Sequence, residues 1–105
     1  MVQFVNCFEV PVGRDDDFLR LWTEVNGYMV TRPGYVNHRL QRSLMPDARY
    51  RFVNLAEWRS ADDLRAGHDE RFRKLATGPA WADFRSTPAM YEIVHSGQRD
   101  HTDDD

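Results

Sequence analysis

Asn54, Trp58 and His68 are the residues whose types and spacing invite chemistry. They lie in the stretch RYRFVNLAEWRSADDLRAGH, positions 49–68. Its first half alternates as a strand does, with Tyr50, Phe52, Asn54, Ala56 and Trp58 on one parity and Arg51, Val53, Leu55 and Glu57 on the other. An amide among aromatic and small residues must find hydrogen-bond partners or lose roughly 1–3 kcal/mol, so Asn54 is either tied down locally or reserved for a ligand. Asn6 repeats the pattern, flanked two residues away on each side by Phe4 and Phe8. His68 shares a helical stripe with Leu64, Phe72 and Leu75, next to Gly67, which interrupts the helix. Such a histidine is either a satisfied core or cap residue, or a group at a break that opens the helix towards a pocket. Two amides, a tryptophan and a histidine around an aromatic cavity make a poor hydrolase and a good host for a flat hydrophobic molecule.

The remaining chemistry is bounded by what the chain lacks. It contains no GxSxG, P-loop, GxGxxG or HExxH motif. Cys7 is the only cysteine, which excludes an internal disulfide and a cysteine-based metal cluster. His38, His68, His95 and His101 show no metal-ligand spacing with carboxylates, so no metal is expected. The net charge of -3 is concentrated at the end, because Asp100, Asp103, Asp104 and Asp105 fall within the last six residues. The body is near neutral and gives no case for nucleic acid. With no apolar run near the roughly 20 residues of a membrane span and no signal-like N-terminus, a cytoplasmic protein without a membrane partner is expected.

The elements that must position these residues follow from periodicity. Residues 3–12 read as a strand apolar on both parities, ended by Pro11 and Gly13. Asp15, Asp16 and Asp17 favour a helix start, and Phe18, Leu21, Trp22, Val25 and Met29 form its stripe until Arg32-Pro33-Gly34 stops it. A more polar strand, 35–44, carries Val36, His38 and Leu40 on one parity and Asn37, Arg39 and Gln41 on the other. It joins the central strand as a hairpin through Met45-Pro46-Asp47-Ala48. Ser60 is an N-cap with Asp63 three residues on, and the helix it opens should break near His68. A short helix at 80–84 and a last strand at 89–95, after Pro88, complete the order βαββαβ.

That order predicts a ferredoxin-like α+β fold with an antiparallel sheet, occupying 1–97 as one domain, followed by a disordered acidic tail at 98–105. Helices cover one sheet face only, yet most strands are apolar on both parities. A homodimer with facing sheets is therefore expected.

Val53-Asn54-Leu55-Ala56-Glu57-Trp58-Arg59-Ser60, with Pro33-Gly34-Tyr35 upstream, resembles the antibiotic biosynthesis monooxygenase superfamily of dimeric α+β barrels over residues 2 to about 96. The resemblance implies a cofactor-independent monooxygenase that oxidises an aromatic polyketide or phenol with dioxygen. Such members use an Asn and a Trp spaced as Asn54 and Trp58 are; their helical Tyr falls at Leu64 here, and the nearest counterparts of their helical Arg are Arg71 and Arg73. A second branch degrades heme. Asn6 matches that branch's first-strand Asn, but its helical Trp falls at or beside Gly67 and its axial His near Leu75 or Ala76, leaving His68 as a displaced candidate ligand. The expected catalytic residues are Asn54, Trp58 and His68, with Asn6, Phe8, Trp22, Phe52, Leu64 and Phe72 as the substrate wall and no cofactor. Heme binding and a non-catalytic dimeric small-molecule-binding domain are the alternatives.

Overall fold

The parity of the central strand decides which side of the sheet becomes the core. Phe52, Asn54, Ala56 and Trp58 are all buried, and the residues between them are partly or fully exposed. In the computed structural model, which describes residues 1–100, the elements are β1 (Val2–Glu9), α1 (Asp15–Met29), β2 (Tyr35–Arg42), β3 (Phe52–Trp58), α2 (Ala61–Gly67), α3 (Glu70–Ala76), a single 3-10 turn at Pro79–Trp81, and β4 (Arg85–Glu92). The strands form one antiparallel sheet in the order β2-β3-β1-β4. This is the expected ferredoxin-like α+β fold.

Two apolar clusters fill the space between sheet and helices. At one end Phe18 of α1 meets Phe8, Phe52 and Phe84; at the other Val25 and Met29 meet Ala56, Trp58 and Leu64. The register sets Phe4, Asn6 and Phe8 of β1 opposite Ala56, Asn54 and Phe52 of β3, so both asparagines share the core face and lie directly across from each other. The N-terminus of α1 is tied to the start of β3 by Arg51, which donates to Asp15 at 2.8 Å and to the Ser43 carbonyl at 2.7 Å.

Several boundaries differ from those the sequence suggested. The last strand starts at Arg85, four residues before the expected Ala89, and runs through Pro88. Proline cannot donate to a ladder, but β4 is an edge strand with a neighbour on one side only, where that loss is tolerated. The short helix expected at 80–84 is instead the 3-10 turn, begun by Pro79. The first two strands end earlier than expected, β1 at Glu9 and β2 at Arg42. Most of the expected tail, 101–105, lies outside the described residues. No described helix is long and apolar enough to cross a membrane.

The helix after Ser60 breaks where the glycine suggested. Ser60 caps α2 by accepting the Asp63 N–H at 3.0 Å, α2 ends at Gly67, and Asp69 caps α3 by accepting the Phe72 N–H at 3.0 Å. Gly67 is where α2 lies against Trp58: a Cβ there would sit 2.5 Å from Cη2 and 2.8 Å from Cζ3 of the indole. Gly67→Ala is thus expected to destabilise, by roughly 1–3 kcal/mol from overpacking, although alanine is up to about 1 kcal/mol the better helix former. Urea denaturation would read the sign, and a stabilised variant would mean the contact is soft.

Candidate functional site

A cavity of ≈ 70 Å³ lies between the core face of the sheet and the helices. Its floor is Phe4, Asn6 and Phe8 of β1 with Asn54 and Trp58 of β3; its roof is Trp22, Val25, Asn26 and Met29 of α1, with His68, Phe72 and Trp81 closing one side and Tyr35 another. That volume holds several water molecules, each needing about 10–15 Å³ by the same measure.

Three of the polar side chains here carry an unpaired buried atom. Buried side-chain atoms without a hydrogen-bond partner, among the described residues, are Asn6 Oδ1, Asn54 Oδ1, Trp58 Nε1 and Arg32 Nε, and three of these four belong to cavity residues. Each such group costs about 1–3 kcal/mol in lost hydration. The local alternative for Asn54, a carboxamide whose oxygen is bonded to neighbouring backbone, is not what is observed.

His68 is the C-cap of α2, with a non-helical backbone at φ -82 and ψ 62. Its Nδ1 lies 2.7 Å from the Leu64 carbonyl. A carbonyl only accepts, so Nδ1 carries the proton, and in the neutral ring Nε2 is left with a lone pair. Phe72, Phe4 and Trp58 surround the imidazole at centroid distances of 4.6, 5.0 and 5.7 Å. Burial among them lowers its pKa below the usual 6.5, outweighing the opposite pull of the Leu64 carbonyl and Asp69. Asp69 anchors the break, because it also accepts the Tyr28 hydroxyl at 2.5 Å and so ties α3 to the end of α1.

The cavity gathers Asn6, Phe8, Trp22, Asn54, Trp58, His68 and Phe72 of the residues singled out in the sequence. Phe52 and Leu64 are not on its wall: Phe52 stacks on Phe18 at 4.7 Å in the neighbouring cluster, and Leu64 packs with Val25 and Met29. Tyr35 and Asn26 were not anticipated. Asn26 had a legible signal, a polar residue four after Trp22 on the helical stripe. Tyr35 had none, because a β-bulge between Tyr35 and Asn37 turns it to the same face as His38 and Leu40. Burial pushes the Tyr35 phenol up to about 12, so it stays protonated. No group of three or more His, Cys, Asp or Glu among the described residues is placed to hold a metal ion.

The family profile of antibiotic biosynthesis monooxygenases (ABM) matches residues 1–71, a span that includes Asn6, Asn54, Trp58 and His68. The chain belongs to this family. Among solved structures, SnoaB from Streptomyces nogalater, a cofactor-independent oxygenase, is 27% identical at a TM-score of 0.76, covering 90% of this chain and 94% of its own. A protein of Shewanella loihica PV-4 is 25% identical at a TM-score of 0.79, covering 90% and 95%. The heme degrader MhuD from Mycobacterium tuberculosis is 18% identical at a TM-score of 0.70, covering 93% and 100%, and shares the fold. No curated protein matches the ABM chain.

The lowered His68 pKa has a stability consequence of definite sign. The unfolded chain takes up this proton first, so the contribution is complete above 6.5, the ordinary value, and is lost as pH falls below it towards the lower folded value. Urea midpoints measured across that range should fall with pH, and His68→Gln should remove that part of the slope. An unchanged slope in the variant would show that His68 is not held neutral by burial.

Proposed function

We propose that this ABM protein is a cofactor-independent monooxygenase that oxidises a flat phenolic or polyketide-derived aromatic with dioxygen. The observation that carries the reading is the set of unpaired polar atoms on Asn6, Asn54 and Trp58 in an otherwise aromatic cavity. An electron-rich phenol or anthrone, once deprotonated, can itself pass an electron to dioxygen. Radical recombination forms the C–O bond of a peroxide, and loss of the second proton with the distal oxygen as water leaves the quinone carbonyl. The protein has to bind the enolate, stabilise its charge and exclude water. The indole N–H of Trp58 suits a developing oxyanion, and the Asn54 and Asn6 carboxamides join it when turned to present Nδ2 in place of the unpaired Oδ1, since all three donors stay protonated themselves. His68 Nε2 takes the substrate proton and returns it to the departing water. Because the base is the neutral imidazole, the rate should rise with pH through the lowered His68 pKa and level off near neutrality.

Heme is the second reading, and the residues present do not fit it in this arrangement. The helical Trp and the axial His of the heme-degrading pattern fall at or beside Gly67 and near Leu75 or Ala76 here, which leaves only the displaced His68, among Phe4, Trp58 and Phe72, to ligate iron. A hemin titration followed in the visible range would reveal a porphyrin complex if the walls yield.

The dimer belongs to the same proposal. On the sheet face away from the helices, Leu55 is 38% and Tyr91 56% exposed, beside the partly buried Val5, Cys7 and Val53. A second copy covering this face would complete an α+β barrel. Sedimentation at micromolar concentration should then give about twice the 12.4 kDa chain mass, and a folded monomer would remove the barrel.

The site itself is tested by Asn54→Ala. Truncation relieves an unpaired buried carboxamide while leaving a small void, two terms that oppose each other. Fold stability should therefore change little, while ligand affinity or turnover falls by roughly 1–3 kcal/mol. Trp58→Phe, which keeps a ring without the N–H, should lower turnover in the same way. Activity falling only in step with the folded fraction would make both residues structural.

A further inference from the structure

The cavity has a second polar element that the proposed oxidation does not use. The Tyr35 hydroxyl donates to Asn26 Oδ1 at 3.3 Å, and Asn26 Nδ2 lies 3.3 Å from His38 Nε2. These contacts give the chain one direction. With the carboxamide oxygen committed to Tyr35, its nitrogen donates to His38, whose Nε2 must then be the unprotonated acceptor. His38 is held in place by the ring of Trp22 at 5.6 Å and that of Tyr35 itself at 6.0 Å. Tyr35 in turn sits edge-on to Trp58 at 5.0 Å. Both Tyr35 and Asn26 line the cavity.

A hydroxyl whose proton is already given to Asn26 offers a ligand its lone pairs. Tyr35 thus presents an acceptor, and its best partner is an O–H. The place of this acceptor matters as much as its sign. Tyr35 is registered opposite Trp58, and Asn54 lies four residues down the same ladder, opposite Leu40. At about 3.3 Å per residue the two backbones are roughly 13 Å apart. A fused-ring aromatic carrying an oxygen at each end is of comparable length.

We propose that Tyr35, oriented by Asn26 and His38, is a specificity-determining residue that selects an aromatic ligand with a second hydroxyl, remote from the oxygen that meets Asn54. This rests on the substrate class proposed above and adds to it a requirement for two separated hydroxyls. Tyr35 and Asn26 touch the ligand in this scheme; His38 is a positioning residue that acts through Asn26.

Two stable quinones make the test, 2,6-dihydroxyanthraquinone and 2-hydroxyanthraquinone, at neutral pH, which leaves their hydroxyls largely protonated without favouring a second proton on an imidazole. Trp22, Trp58 and Trp81 all line the cavity, so quenching of tryptophan emission reports binding directly. The wild-type protein should bind the dihydroxy compound about tenfold more tightly than the monohydroxy one, the usual worth of one well-placed hydrogen bond. Tyr35→Phe, which keeps the ring against Trp58, should bring that ratio close to one. His38→Leu should lower the ratio, and His38→Gln, which restores an acceptor for the Asn26 amide, should recover it. Equal binding of the two quinones by the wild type, or an undiminished preference in Tyr35→Phe, would overturn the assignment while leaving the proposed substrate class standing. Loss of preference in His38→Gln as well as His38→Leu would overturn the positioning role. If neither quinone binds, the aromatic-substrate reading itself fails, and this inference falls with it.

Discussion

The site depends on the close approach of α2 to the indole of Trp58, which exists only because residue 67 has no side chain. Trp58 is 1% exposed, so its ring is a fixed object on which other groups rest. Tyr35 meets it edge-on from β2, and His68 meets it from the end of α2. Gly67 both permits the contact and ends the helix, which leaves His68 in a capping conformation rather than in mid-helix. The turn of chain that follows is secured by Asp69, whose carboxylate holds the Phe72 amide and the Tyr28 hydroxyl together. The same Asp69 is held below the usual carboxylate range, by the Tyr28 hydroxyl above all. One missing side chain therefore goes with where α2 stops and where the histidine stands, and the Leu64 carbonyl then fixes which of its nitrogens is free.

Packing of this kind normally leaves no polar atom unattended. The far end of the core obeys that rule: Phe8, Phe18, Phe52 and Phe84 meet with rings alone, at 4.7 to 5.7 Å. The end beneath α2 does not, since Asn6, Asn54 and Trp58 each leave a buried atom unpartnered. At roughly 1–3 kcal/mol for each, the cost is comparable to a sizeable part of the net stability of a small domain. A leucine at either asparagine would remove the burden. Local rules fail here in one place, in a fold otherwise consistent with them, and it is the place where the proposed ligand would supply the missing partners.

The sequence carried the frame of this site better than its details. The parity of Phe52 to Trp58 placed Asn54 and Trp58 on one face, and the same reasoning put Asn6 opposite a core. Gly67 announced the break that frees His68. These signals are local, and local periodicity records them. Tyr35 escaped because a bulge adds one residue to one strand, and alternation has no symbol for that. Phe52 and Leu64 share stripes with cavity residues, but a stripe does not tell which end of a core holds the void. The start of β4 escaped for a related reason: Pro88 reads as punctuation in sequence, and only its place at a sheet edge makes it admissible within a strand.

The two chemistries suggested by the family differ in which element supplies a tryptophan, and this fold turns that difference into a question of volume. The cofactor-free pattern puts the indole on β3, as Trp58; the heme-degrading pattern puts one on the second helix, at or beside Gly67. With a Cβ at 67 only 2.5 Å from the Trp58 ring, a side chain there would have to displace the indole at 58. Asn6 and Asn54 are under no such restriction. They face each other across the β1–β3 ladder and occupy different strands, so a chain can keep both amides at no steric cost. Amides are therefore weak markers of either chemistry in this scaffold. The tryptophan is the stronger one, because its position decides what else the space above the sheet can hold.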